Sequence, residues 1–196
     1  MVSANSAFVP LNIDYKTTWE GWYQNVVKDA PPAYSYYKKL SIEWGVQEDY
    51  QIIQKLGRGK YSEVFEGYNE RNNQKCIIKI LKPVRVEKIY REIKILMTLH
   101  GGKNIVKLCD VTRDEASQTP CLVYEYVPHV ESKVLFPKFN DYEVRLYMFK
   151  LLQALAFSHS KGIMHRDVKP LNIIVDPRTK TLRLIDWGLA DFYFPG

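Results

Sequence analysis

The chain has 196 residues, of which 46% are hydrophobic and 26% charged, and it carries a formal net charge of +6. This composition is typical of a globular protein and excludes a chain that is disordered throughout. No stretch approaches the roughly 20 apolar residues of a membrane-spanning helix, and no leader-like segment opens the chain, so we expect a protein of the cytoplasm and nucleus.

The first part of the chain with a clear pattern is predicted to form strands and a helix. Residues 50–69 are typical of two strands around the glycine-bearing turn GRGKYS, and residues 74–81 of a third strand rich in β-branched side chains. Pro83 ends this strand. Residues 86–99 then carry apolar side chains at helical spacing, namely Ile89, Ile93, Leu96 and Met97.

Two further strands are predicted at residues 105–111 and 121–127, on either side of the turn RDEASQTP. The pattern up to this point therefore predicts a unit of five strands and one helix.

The composition changes at Pro128, and a long helix is predicted further along the chain. Asn140 or Asp141 can cap a long helix that continues to about Lys161. Its apolar stripe consists of Val144, Met148, Leu151, Leu152 and Leu155. Two short strands, NIIVD and LRLID, follow around the turn PRTK.

The cysteines and the net charge reduce the range of possible functions only slightly. Cys76, Cys109 and Cys121 are odd in number and widely spaced, which favours buried thiols over a disulfide framework or a zinc site. The positive charge suits an acidic partner such as a nucleotide, an acidic peptide or a nucleic acid. His100, His129 and His159 have no partner pattern, so we expect ordinary surface or helix residues there.

A glycine-rich turn and a lysine–glutamate pair indicate a phosphate site. The turn consists of Gly57, Arg58, Gly59, Lys60, Tyr61, Ser62, Glu63 and Val64. Its glycines would let backbone N–H groups approach phosphate oxygens closely. Lys79 follows Val64 by fifteen residues in an apolar strand, and Glu92 lies thirteen residues further on, in the predicted helix. A lysine positioned by a glutamate and directed at phosphates is what a nucleotide site requires.

The strongest motif is HRDVKPLN at residues 165–172, which is followed nineteen residues after Asp167 by Asp186 of DWG. Asp167 can accept the proton of a substrate hydroxyl, and Lys169 can steady a transferring phosphoryl group. Asn172 and Asp186 offer oxygen ligands for Mg²⁺. His165 and Arg166 are interpreted as scaffold residues. These features, in this order, resemble a eukaryotic protein kinase.

Several stretches resemble the catalytic alpha-subunit family of casein kinase two. They are EWG, LGRGKYSEVFEG, KILKPV, REIKIL, HGGKNIV, GIMHRDVKP and LRLIDWGLADFY. Trp187, where most kinases have phenylalanine, and Ser62, in place of the third loop glycine, are particular to that family. The resemblance implies a serine/threonine kinase that transfers the γ-phosphate of ATP, or also of GTP, to residues near acidic side chains, without phosphorylation of its activation loop.

The resemblance also implies an α+β, bilobal fold with three segments. Residues 1–44 would be an N-terminal extension and a segment that packs on the kinase core, with Tyr34 and Tyr37 in the contact. Residues 45–127 would form the ATP-binding lobe and hinge, and residues 128–196 the start of the C-terminal lobe. We expect the chain to end within the activation segment, and residues 1–22 have no counterpart that we can place.

Further site residues follow from the resemblance alone. The purine pocket would be walled by Leu56, Val64, Ile77, Tyr124, Ile174 and Ile185, and the hinge would consist of Glu125, Tyr126 and Val127. A regulatory beta subunit would dock on the outer face of the sheet, at Tyr50, Ile52, Phe65, Ile80 and Val123.

The chain departs from that family at two places, and two other classes of function remain open. The family's lysine run is reduced here to Arg85 and Lys88, with Val86 and Glu87 between them, so polyanion binding is left open. Leu171 stands where the family has histidine. The alternatives are a catalytically incompetent nucleotide-binding fragment that still binds a regulatory subunit, and a polyanion-binding protein.

Overall fold

The structure is a computed structural model that describes residue 23 and residues 25–82 and 85–194. The predicted extension at residues 1–22 and the predicted strand end at Pro83 lie outside the described residues. Within them no helix is long and apolar enough to cross a bilayer.

A five-stranded antiparallel sheet forms the first half of the described chain, as predicted. Its strands lie in the spatial order β1, β2, β3, β5, β4. They span β1 (Tyr50–Arg58), β2 (Ser62–Asn69), β3 (Gln74–Leu81), β4 (Leu108–Arg113) and β5 (Pro120–Glu125). Because side chains alternate along a strand, Val64, Ile77 and Tyr124 share the inner face, whereas Phe65, Ile78 and Val123 share the outer face.

The predicted bounds of β4 and β5 were displaced by one to three residues. Ile105 makes an isolated parallel bridge to Leu184 of the second half, so the apolar run there joins the two halves before β4 begins. The other strand leaves the sheet at Tyr126, two residues before Pro128, which has no N–H to donate to a ladder.

Helix α1 (Val86–Thr98) packs its apolar face against the core, where Ile89, Ile93 and Leu96 are buried as the spacing predicts. Met97 was wrongly assigned to this face: it is 53% exposed because it lies past the edge of the buried stripe, and Ile95 is buried instead.

The long helix α3 (Asp141–Ser160) begins at a capping box, in which Asn140 accepts from the Glu143 N–H and Glu143 accepts from the Asn140 N–H. Its predicted stripe is split between two environments. Leu151 is buried and Leu155 packs on the core, whereas Val144, Met148 and Leu152 are exposed.

Short elements surround α3. They are α2 (Ser132–Leu135), β6 (Ile163–Met164), β7 (Ile173–Asp176), β8 (Thr181–Leu184) and β9 (Asp191–Phe192). Strands β7 and β8 form the predicted hairpin, and β6 pairs with β9. The α2 helix and the β6–β9 pair were not predicted, because elements of two to four residues leave no periodic pattern.

The segment before the sheet lies against the second half of the chain. The Tyr34 hydroxyl donates to the Lys161 carbonyl at 2.9 Å, and its ring meets Phe192 edge to face. Gly162 has φ +59°, and a Cβ there would lie 2.4 Å from Val27, so only glycine lets this segment approach. Tyr37 is also packed against the core.

The three cysteines are free thiols in different environments. Cys76 and Cys121 are buried on the outer side of the sheet, as expected. The expectation of a buried thiol was wrong for Cys109, which is exposed at the point where the register of β4 against β5 is irregular, between Leu108 and Asp110.

Candidate active site

A cleft of about 590 Å³ lies between the β1–β2 turn and the β7–β8 hairpin. This volume is within the usual range for small-molecule sites. Its lining includes most of the predicted nucleotide-binding residues, namely Leu56, Gly57, Arg58, Gly59, Ser62, Val64, Ile77, Lys79, Glu125, Val127, Ile174 and Ile185. Tyr124, Asn172 and Asp186 also line it.

The glycine-rich turn closes one side of this cleft. The Gly59 N–H donates to the Ser62 carbonyl at 2.8 Å, and the Lys82 ammonium donates to the Gly59 carbonyl at 2.8 Å. Lys60 and Tyr61 were assigned to the nucleotide-binding set, but they are not among the residues that line the cleft. They stand at the tip of the turn, where the Lys60 ammonium lies 5.3 Å from the centre of the Tyr61 ring.

Lys79 of β3 lines the cleft and reaches two carboxylates, that of Asp186 in the cleft and that of Glu92 buried behind it. Its ammonium donates to Glu92 Oε1 at 2.7 Å and to Asp186 Oδ1 at 3.1 Å. Burial by itself would lower the pKa of Lys79, but the charges of Glu92 and Asp186 outweigh that effect and raise it. The lysine is therefore held as a cation beside the glycine-rich turn.

Tyr124 adds a contact to this pair that the sequence did not predict. Its hydroxyl donates to Glu92 Oε1 at 3.2 Å, and both side chains are buried. Burial, followed by the charges of Glu92 and Asp186, raises the pKa of Tyr124 well above its usual value. The phenol thus remains a hydrogen-bond donor to Glu92.

The loop between β6 and β7 gathers the second group of polar residues. Lys169 donates to Asp167 Oδ2 at 2.7 Å, and the Asn172 amide donates to the same oxygen at 2.9 Å. The hydrogen bond from Lys169 is the main cause that lowers the pKa of Asp167. The aspartate is therefore an ionised carboxylate, which is the form able to accept a proton.

His165 and Arg166 hold this loop in place through contacts with backbone carbonyls. The His165 ring is buried, its Nε2 lies 2.9 Å from the Ile185 carbonyl, and its Nδ1 accepts from the Asp167 N–H at 3.2 Å. Burial lowers the pKa of His165, which favours the neutral ring. The Arg166 guanidinium donates to the Leu189 carbonyl at 2.7 Å.

A comparison with models of known protein families matches residues 50–195 to the protein kinase domain. This chain belongs to the protein kinase domain family. The predicted bilobal kinase fold is accordingly confirmed, with the five-stranded sheet and α1 as its N-terminal lobe and α3 in its helical lobe. Kinases of this family use ATP and Mg²⁺.

The donor set of this kinase fits a magnesium ion. The Asn172 side-chain N–H groups are donated to Asp167, which leaves the amide oxygen as its available ligand. Lys79 contacts one oxygen of Asp186, whose side chain is 49% exposed. Hard oxygen donors of this kind suit Mg²⁺. Asp186 has φ +59°, a strained value for a non-glycine residue that recurs at functional sites.

The segment predicted to be the hinge is held through the side chain of Glu125. Its Oε1 accepts from the Lys107 N–H at 2.8 Å and from Arg183 Nε at 2.8 Å, so it ties β5 to the residue before β4 and to β8. The Glu125 N–H in turn donates to the Lys107 carbonyl at 3.1 Å, so the side chain and the N–H of this residue are both engaged within the protein. Val127 is buried at the end of the hinge.

Three lining residues of the kinase cleft were missed from the sequence: Val106, His129 and Leu171. His129 was expected to be an ordinary surface residue, but its Nδ1 lies 3.1 Å from the Val127 carbonyl at the mouth of the cleft. Its position directly after Pro128, at the end of the hinge, was the available signal. Leu171 is 65% exposed beside the cleft, and its place within HRDVKPLN could have indicated it.

Proposed function

We propose that this kinase is a protein serine/threonine kinase of the casein kinase two alpha type, which phosphorylates residues near acidic side chains. The observation that carries the proposal is the meeting of two polar groups in one site. Lys79, held by Glu92 and Asp186, and Asn172, bonded to Asp167, line the same cleft. The group around Lys79 is suited to binding the phosphates of a nucleotide. The group around Asp167 is suited to accepting the proton of an incoming hydroxyl.

Each residue has a distinct role in the proposed reaction. Asp167 accepts the proton of the substrate hydroxyl, and Lys169, 2.7 Å from it, neutralises charge on the transferring phosphoryl group. Lys79 orients the phosphates under the glycine-rich turn. Mg²⁺, held by Asn172 and Asp186 when bound, supplies positive charge to the phosphate oxygens.

The nucleotide base is proposed to lie between the apolar walls of the cleft. Leu56, Val64 and Ile77 line it from the sheet, and Ile174 and Ile185 from the hairpin. The backbone of the hinge at residues 125–127 supplies hydrogen-bonding groups that do not depend on one base, which is consistent with use of GTP as well as ATP.

A preference for acidic substrates is supported by cations near the tip of the glycine-rich turn. The ammonium groups of Lys60 and Lys88 lie 5.3 and 5.5 Å from the centre of the Tyr61 ring, and Lys82 donates to Gly59. These lysines retain positive charge in this region although the family's lysine run is shortened. Binding of polyanions would use the same cations.

The test is phosphorylation of a synthetic peptide whose serine is followed by aspartates and glutamates. We expect transfer with Mg·ATP and with Mg·GTP, and at least tenfold lower kcat/KM for a control peptide in which every acid is replaced by its amide. Asp167→Asn should abolish transfer with little change in nucleotide affinity, because the base acts on the hydroxyl. Equal rates on both peptides would refute the acidic preference, and preference for a tyrosine peptide would refute the serine/threonine class.

We further propose a regulatory beta subunit on the outer face of the sheet. Ile52 is exposed, and Tyr50, Phe65 and Ile80 are half-buried there, so together they offer apolar surface to a partner. Val123 is only 1% exposed, because its neighbours cover it, and is better assigned to the floor beneath this surface. The test is capture of a beta subunit by the wild-type chain and by the Phe65→Ala variant. If the two chains captured it equally well, the proposed interface would be contradicted. Residence in cytoplasm and nucleus, expected from the sequence pattern alone, is tested by imaging a tagged chain.

A further inference from the structure

A second cavity, of about 280 Å³, lies where α1, the end of β3 and the turn between β4 and β5 meet the segment before the sheet. It shares no lining residue with the kinase cleft, and the proposed reaction uses none of its side chains. Its volume is just below the usual range for small-molecule sites, which suits a ligand of about one ring. The nature of such a ligand follows from the side chains around the cavity.

Part of the lining is apolar and extends from the core to the surface. Leu81 and Ile89 are buried, the ring of Trp44 is half-buried, and Val86 is exposed. Val86 is one of the two residues that interrupt the lysine run of the resembled family, so the apolar character of this wall belongs to the present chain. An aromatic ring placed here would bury its surface against these four side chains.

The rest of the lining is polar and includes two cations. Arg113, the last residue of β4, has its guanidinium carbon 4.8 Å from the centre of the Trp44 ring. Lys82 directly follows β3 and donates one ammonium N–H to the Gly59 carbonyl at 2.8 Å, which leaves two more to donate. In the part of the chain that the structure describes, neither cation forms an ion pair.

No carboxylate opposes these cations among the described residues that line the cavity. Asp114, the acid next to Arg113 in the chain, is not one of them, and its Oδ1 accepts from the Ser117 N–H at 2.7 Å. An anion that enters the cavity would therefore meet uncompensated positive charge beside an apolar wall.

We propose that this cavity is a second binding site of the chain and that it takes a small aromatic carboxylate. The ring lies on Leu81, Ile89 and Val86, and the carboxylate pairs with Arg113 and Lys82. A guanidinium group can bind both oxygens of a carboxylate at once, which fixes the orientation of the ligand as well as adding affinity. The site adjoins α1, the helix that carries Glu92, but its occupation does not require a nucleotide.

The experiment is an NMR titration of the full chain with phenylacetate, followed through the Trp44 indole N–H and the methyl groups of Leu81 and Ile89. We expect saturable shifts with a Kd of about 1 mM. Phenylacetamide has the ring without the charge, and acetate has the charge without the ring. Each should bind at least about fivefold more weakly than phenylacetate. Saturating Mg·ATP should not displace phenylacetate, because the two sites share no lining residue.

Two variants at Val86 test the charge of the site. Val86 is 54% exposed in the first turn of α1, where a carboxylate is compatible with the helix dipole. Val86→Glu should bind phenylacetate at least about fivefold more weakly than Val86→Gln, because the two side chains differ only in charge. Met97→Glu is the matched control, since Met97 is 53% exposed on the same helix and does not line the cavity. It should bind phenylacetate as the wild-type chain does.

Equal affinity for phenylacetate and phenylacetamide, or equal weakening by Val86→Glu and Met97→Glu, would overturn the proposal. Shifts confined to Ile77 and Ile174 would also overturn it, because these residues line the kinase cleft. A chain that ignores phenylacetate but binds a peptide with adjacent phenylalanine and aspartate residues would assign the cavity to a protein segment instead. Binding of Mg·ATP is measured separately, so that this proposal and the proposed function can fail independently.

Discussion

The single residue on which the proposed chemistry depends most is Asp167, and Lys169 lowers its pKa. The hydrogen bond from Lys169 depresses the pKa of Asp167 below its ordinary value of 3.8. A depressed pKa in the folded state means that the ionised group stabilises the fold above the unfolded-state pKa and that this contribution is lost as pH falls through the folded-state pKa. We therefore predict that Lys169→Met raises the pKa of Asp167.

A carbon-13 NMR titration of the Asp167 carboxyl group measures this change. Lys180→Met is the control, because Lys180 lies over the ring of Tyr142 and does not contact Asp167. An Asp167 pKa that stays the same in Lys169→Met would show that the 2.7 Å hydrogen bond has no influence on the base.

Tyr124 permits a second test at the scale of one atom. Tyr124→Phe keeps the buried ring and removes only the hydroxyl that donates to Glu92. We predict a decrease of about 1 kcal/mol in the free energy of unfolding, because a charged acceptor loses one donor. The control is Tyr147→Phe, since Tyr147 is similarly buried and its hydroxyl has no hydrogen-bond partner among the described residues. Equal effects of the two changes in urea unfolding would contradict a role for the Tyr124 hydroxyl.

Among the elements, α3 provides a matched pair of adjacent leucines. Leu151 is 7% exposed and Leu152 is 57% exposed. We predict that Leu151→Ala lowers the free energy of unfolding by about 2 to 5 kcal/mol, because it leaves a cavity in the core. Leu152→Ala should change it by no more than about 0.5 kcal/mol. Denaturant unfolding measures both, and comparable losses would show that Leu152 is covered by another surface.

Elements with a periodic pattern or a motif were predictable, whereas contacts between distant segments were not. The extent of β3 followed from its β-branched side chains, and that of α3 from the capping residue at its start and the apolar stripe, all of which are local signals. The assignment of Met97 to the buried face of α1 was wrong, because a residue at the edge of an apolar stripe can face either the core or the solvent. The Arg91–Asp191 pair, 100 residues apart in the chain, has no local signature. Val106 likewise enters the cleft only because the two halves of the chain meet there.

At the scale of the whole molecule, the two lobes are joined through side chains that share one site. Lys79 on the sheet contacts Asp186 after the β7–β8 hairpin, and α1 contacts β9 through Arg91. Both connections pass through residues of the site or their immediate neighbours. The relative position of the lobes is therefore tied to the geometry that the proposed reaction needs.

Isothermal titration of the folded chain with ATP, with and without Mg²⁺, tests the central claim most directly. We predict saturable binding that depends on Mg²⁺, is weakened about tenfold or more by Lys79→Met and by Asp186→Ala, and is unchanged by Lys55→Met, which removes a surface lysine paired with Glu63. Circular dichroism of each sample shows whether it is folded. A folded wild-type chain that binds no nucleotide in the presence of Mg²⁺, or one whose affinity is indifferent to Lys79, would contradict the account.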